Sequence, residues 1–290
     1  MAETTNTLLS LAADRRKYLM TKMDSALRET LVAEEICRVD RTDSYKIENP
    51  YASTPTIAIT HFTGTYAVDA WTVTDDTLTV QDEFKIGEHI FDYERIVTQF
   101  DMIATRLDMQ AYWVANAIDD YVINVVTEGA GESYSTPSGG FTTAANINTI
   151  MANLLSKVSG YQSQMNGLFL VIENTDLPGF VAAGAASGFT FADQTLKNGL
   201  RNKFNYMGVD VYVVRSGLFD NATSGSETWT NSSHRVFGVK RMATYAHPRG
   251  VQYEEKAVSL KTGIETVTWG AIGVKVWSTI ANLLVDITIV

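Results

Sequence analysis

DYERIVTQFDMIATRLDMQAYWVANAIDDYVINVVT, residues 92–127, carries a nearly unbroken apolar stripe: Ile96, Phe100, Ile103, Leu107, Ala111, Val114, Ile118, Val122 and Val125. The mean step is about 3.6 residues, the period of an α-helix. Met102, Met109, Trp113 and Ala117 make a second stripe beside it. At about 1.5 Å per residue the predicted helix is about 50 Å long, several times the usual helix and more than one compact domain covers. No heptad is sustained, so a coiled coil does not account for it. Other parts of the chain, or other chains, must lie along it.

Upstream the period changes. In AWTVTDDTLTVQ (70–81), Trp71, Val73, Leu78 and Val80 alternate with threonines, the period of a strand with one dry face. A turn at Asp75-Asp76 would set Trp71 opposite Val80 and Val73 opposite Leu78 in a hairpin; a four-residue loop is the alternative. A two-stranded ribbon is marginal alone and needs a surface to lie on. Residues 1 to about 40 read as helical, with Leu8, Leu11, Leu19, Met23, Leu27 and Leu31 on one side and a capping box at Thr21 and Asp24. This segment either packs on its own domain or forms an arm across a neighbour.

Downstream, GAGESYSTPSGG (129–140) breaks the chain. Ile147, Ile150, Met151, Leu154 and Val158 mark a helix ending near Gly160, and Leu168–Ile172 is a buried strand. A loop and a short helix follow that strand, then a second strand, 209–214. Residues 220–235 read as a long exposed loop, and the chain from Val236 onward as β.

The chemistry that an α/β enzyme would carry is missing from these places. The loop after Ile172 has neither a Gly-rich phosphate turn nor an exposed serine between glycines. The four histidines have no helical i, i+4 partner and no cysteine company, so no metal site is expected. Asp119 and Asp120 point about 100° apart on a helix, which makes them solvated or interface carboxylates and not a proton-sharing pair. Glu254 and Glu255 read as rim charges. No cofactor is expected. The single cysteine, Cys37, excludes an intrachain disulfide. No apolar run approaches the ~20 residues of a membrane span, and the N-terminus lacks a signal-peptide pattern. A net charge of −10 argues against gripping nucleic acid through its phosphates, though not against enclosing it.

The order of parts, more than any motif, resembles the tailed-bacteriophage major capsid proteins of the Johnson, or Hong Kong ninety-seven type, fold. FKIGEHIFDYERI (84–96) running into TRLDMQAYWVANAIDDYVINVV (105–126) resembles that family's extended loop returning to its spine helix. GLFLVIENTDLPGF (167–180) and KNGLRNKFNYMGVDVYVVRSGLF (197–219) resemble its axial domain. The resemblance implies an α+β class with an N-terminal arm (1–50), an extended β-hairpin loop (51–90), a peripheral domain with the spine helix (91–131 and 251–290) and an α/β axial domain (132–250). It implies that Trp71, Val73, Leu78 and Val80 contact an adjacent subunit, while Phe100, Ile103, Leu107, Trp113, Val114 and Ile118 pack the spine. The implied function is structural. Hexamers and pentamers would form an icosahedral virion shell around double-stranded DNA, assembled in the host bacterial cytoplasm, with a separate scaffolding protein; a portal and decoration proteins are further candidates. Lys85 lies near the return strand, but no partner asparagine or assisting glutamate matches the family's cross-link. An encapsulin-type nanocompartment and, from a different class, an intracellular α/β enzyme are the competing readings.

Overall fold

The structure, a computed structural model, describes residues 17–18, 20–21, 31–49, 76–90, 102–158, 167–186, 203–224, 227–230, 233–257 and 264–290. In chain order the first elements are helix α1 (Val32–Ile36) and strands β1 (Arg38–Asp40), β2 (Lys46–Glu48), β3 (Thr77–Thr79) and β4 (Asp82–Ile90). The long helix α2 (Met102–Glu128), β5 (Glu132–Ser135), α3 (Ala144–Val158), β6 (Leu168–Glu173) and α4 (Leu177–Ala186) follow. The rest is β: β7 (Lys203–Tyr206), β8 (Val209–Val214), β9 (Asp220–Ser224), β10 (Glu227–Thr230), β11 (His234–Val239), β12 (Ala243–Ala246), β13 (Gln252–Ala257), β14 (Ile264–Val276) and β15 (Leu284–Thr288).

Two sheets dominate. The first is six-stranded, in the order β5-β15-β11-β6-β8-β7. Its centre is the apolar run of β6 and β8, which pair in parallel; β11 runs antiparallel to both β6 and β15. Strands this apolar need cover on both faces. Helix α3 supplies part of it, with Ile147, Ile150, Met151, Leu154 and Val158 all 0% exposed. Phe180 of α4 stacks on Phe141 at 5.6 Å and meets Phe204 and Tyr206 edge-on. Gly179 permits that approach, since a Cβ there would lie 1.9 Å from the Phe141 carbonyl oxygen. The second sheet is built around β14, thirteen residues long, which pairs antiparallel with β4, β12 and β13; β1 adds in parallel to β12.

Helix α2 contacts β4 and β14 of the second sheet and β11 and β15 of the first, as well as α1 and β9. Its length is thereby explained: at about 40 Å over the described residues it spans two sheets. Residues 91–101, the predicted first turns of this helix, lie outside the described residues.

Several sequence expectations are corrected. Helix does not continue to residue 40, because β1 begins at Arg38. The Thr21 hydroxyl donates to the Lys17 carbonyl 2.9 Å away; Asp24, the other half of the expected capping box, lies outside the described residues. The 129–140 break contains β5, paired in parallel with β15. The loop 220–235 holds an antiparallel hairpin, β9–β10, with a register shift at Trp229/Thr230. β12 joins the β14 sheet, and β15 inserts between β5 and β11. Local alternation tells which face of a strand is dry but not which strand lies beside it.

Candidate assembly surface

The loop after β6 forms a closed ionic cluster. Arg235 of β11, 3% exposed, lies 3.2 Å from Glu173 and 2.6 Å from Asp176, themselves 7% and 2% exposed. The Asp176 carboxylate also accepts the Glu173 backbone N–H at 3.2 Å, and Glu173 accepts that of Gly217 at 3.2 Å. The guanidinium sits 5.2 Å from the centroid of the Phe219 ring. With its oxygens committed to Arg235 and to backbone donors, the loop ties β6, α4 and β11 together and presents no reactive group. Among the described residues, no three metal-capable side chains group together. Asp119, expected to be solvated or at an interface, is instead buried against α1, while Asp120 is half-buried and pairs with the exposed Arg215. Glu254 is exposed on β13.

Part of the exposed surface is apolar. Helix α2 buries Ala111, Val114, Ala115, Ile118, Val122, Ile123 and Val126. On another face Met109, Tyr112 and Trp113 are 59%, 56% and 62% exposed, at spacings of three and four that bring them together. The Tyr112 and Trp113 rings meet edge-on at 5.9 Å. Val114 and Ile118 are buried, while Trp113 points outward, because one residue turns the helix about 100°. Tyr112 was missed; its position three residues after Met109 was the available signal. Ile103 and Leu107 lie in α2, but their side chains, like Phe100, fall outside the described residues. A cluster of large exposed aromatic and thioether groups of this kind marks an interaction site.

The predicted extended-loop residues divide. Leu78 and Val80 are buried in the subunit's own core, at 4% and 7% exposure, which corrects their placement on a neighbour. The cause is β3, which pairs antiparallel with β2 (Ile47 opposite Leu78) and packs on β14. A Cβ at Gly273 would stand 3.2 Å from Val80 Cγ2 and 3.4 Å from Leu78 Cδ1. The entry to β3 is pinned by Asp76, which pairs with Lys275 and accepts hydrogen bonds from the Ser278 backbone N–H and hydroxyl, each at 3.2 Å. Burial works to raise the pKa of this carboxyl, but the Lys275 ammonium and the Ser278 donors outweigh it and hold it below the ordinary range. Trp71 and Val73 lie outside the described residues. Lys85 sits opposite Trp269 on β4, in an exposed ion pair with Glu83 at 3.0 Å.

No protein-family model matches the chain, and no curated protein sequence matches it. Solved structures do. The capsid of cyanophage P-SCSP1u superposes with a TM-score of 0.70 at 11% identity, covering 90% of this chain and 88% of that one. The mature capsid of bacteriophage PhiM1 gives 0.65 at 11% identity, over 89% and 87%. The virus-like particle from Pyrococcus furiosus gives 0.62 at 10% identity, over 94% and 99%. At such identities the fold is what is shared: this chain has the α+β, Hong Kong ninety-seven type fold of the phage major capsid proteins.

Proposed function

We propose that this chain is a major capsid protein that assembles, as hexamers and pentamers, into an icosahedral shell around the double-stranded DNA of a tailed phage. The observation that carries the reading is the near end-to-end match, on both chains, to subunits of phage capsids. The exposed Met109–Tyr112–Trp113 cluster supports it, since such a surface is costly in water and neighbours in a shell would cover it. In this reading residues 91–131 and 251–290 form a peripheral domain and 132–250 an axial domain. Trp71 and Val73 reach an adjacent subunit. A separate scaffolding protein directs closure, and a portal and decoration proteins complete the particle in the host bacterial cytoplasm. The role is structural and not enzymatic.

Electron microscopy of the chain expressed with its scaffold tests this: closed shells are expected, and monomer alone at high concentration overturns it. A second reading, an encapsulin-type compartment, draws on the virus-like particle from Pyrococcus furiosus, which this fold matches over 99% of that chain. The contents of purified particles decide between them, packaged DNA for the capsid and a cargo protein for the compartment.

A further inference from the structure

Helix α2 and the second sheet form two layers tied at two points. The Thr268 hydroxyl of β14 donates to Gln110 Oε1 at 3.2 Å, and the Tyr121 hydroxyl donates at 2.6 Å to Asp82, the cross-strand partner of Ile272. Between these ties α2 rises about 16 Å and β14 about 13 Å, so helix and strand run alongside each other in one direction. Thr266, Thr268 and Ile272 face the helix, at 3%, 0% and 5% exposure. Val267, Trp269 and Ala271 alternate with them and face away from it.

Each outer side of this layer pair carries an open apolar patch, and the two patches lie back to back. On the helix side Met109, Tyr112 and Trp113 flank Gln110, in a run from 109 to 118 without a charged residue. On the sheet side Val267, 40% exposed, flanks Thr268. Gly87 stands opposite Val267 on β4, and a Cβ there would meet nothing nearer than 4.0 Å, so the surface beside Val267 is a bare shelf. A glycine inside a strand marks a place where another group can approach closely. Exposed Glu83, Lys85, Glu254 and Glu265 rim the shelf. Protruding uncharged rings on one side and an apolar shelf with a charged rim on the other match the dry centre and polar border of a protein interface.

We propose that a second copy of this chain covers the cluster: Met109, Tyr112 and Trp113 of one subunit seat on the Gly87–Val267 shelf of the next, head to tail around a capsomer. The inference rests on the reading of the assembly as hexamers and pentamers. Around such an axis no patch meets its own copy, so each needs a different surface on the next subunit. Because the two patches lie at one height on opposite sides of one layer pair, repeating a single step brings every cluster onto a shelf. The contact is too small to hold two free subunits. A buried aromatic ring covers about 150–250 Å², so the partly exposed cluster offers on the order of 400 Å², about half of the ~800 Å² per partner in a standard interface. Ring closure must supply the rest.

Ala117, exposed on the same side of α2, lies about 10 Å beyond Gln110, level with Ala271, three strand residues beyond Thr268. In shells of an Ala117→Cys, Ala271→Cys double variant, a short bismaleimide should link subunits into a ladder ending at pentamer and hexamer on a denaturing gel. Each single variant should stay monomeric there. Cys37 does not compete, being buried, which pushes its thiol pKa up. Shells of the double variant that stay unlinked overturn the contact and leave the capsid reading standing; a wild-type chain that forms neither shell nor ring overturns both. Dimers from Ala117→Cys alone show the cluster meeting its own copy. Linkage of Ala117→Cys to Val73→Cys in place of Ala271→Cys shows it covered by residues 70–75 of a neighbour. Either result refutes the proposal. If the cysteine variants do not assemble, benzoylphenylalanine in place of Tyr112 decides: photo-attachment to β4 or β14 of another subunit is expected, and attachment elsewhere refutes the contact.

Discussion

Arg235 of the six-stranded sheet is held between Glu173 and Asp176 and almost without contact to water. Removing its charge leaves two carboxylates buried and unpaired, so Arg235→Met should cost about 3–5 kcal/mol of subunit stability by chemical denaturation. Replacing Glu173 and Asp176 by their amides in the same chain should restore much of the loss. Nothing in the sequence announces this cluster, because Asp176 is 59 residues from Arg235 and only the sheet brings them together. Val114 and Ile118 were legible because a helical stripe places them through neighbours in sequence. Trp113, exposed on the same helix, belongs to a different experiment. Trp113→Arg should leave the thermal midpoint of the isolated subunit within a degree or two, since an exposed position contributes little to the core, while particle yield falls. A subunit destabilised as much as by a core substitution would refute that division of roles.

At the scale of elements, periodicity located α2, α3, β6 and β8, since each carries its burial pattern in consecutive residues. It failed for β1 and β5, which are short and pair with strands far along the chain, and for β9, whose DNATS sequence has no apolar alternation although its partner β10 is adjacent. Strand β3 shows the physical reason. Alternation correctly identified Leu78 as facing a dry surface, yet the surface is β14 of the same subunit. Leu78→Ala should accordingly destabilise the isolated subunit by about 2–5 kcal/mol, the usual cost of emptying a core leucine site. Val73→Asp, placed by our reading on a neighbour, should leave circular dichroism and melting unchanged and abolish shells. If both variants unfold the isolated subunit, residues 70–81 act as one internal element.

For the whole molecule, 33 acidic against 23 basic side chains leave the chain at −10, a balance that argues against gripping phosphates. Free subunits should not shift duplex DNA in a gel at physiological salt; tight binding would mean that the protein does more than enclose a genome. The fold also has a temporal side. Strand β5 is complete at Ser135, but its partner β15 starts only at Leu284, and β15 also separates β5 from β11. At about 5–20 residues per second of synthesis, β5 waits on the order of ten seconds for its place in the sheet. A nascent chain that lacks β15 has open edges at β5 and β11, so the six-stranded sheet cannot be completed until Leu284–Thr288 is made. Nascent chains that have not yet made β15 should therefore be a form of this protein in need of a chaperone.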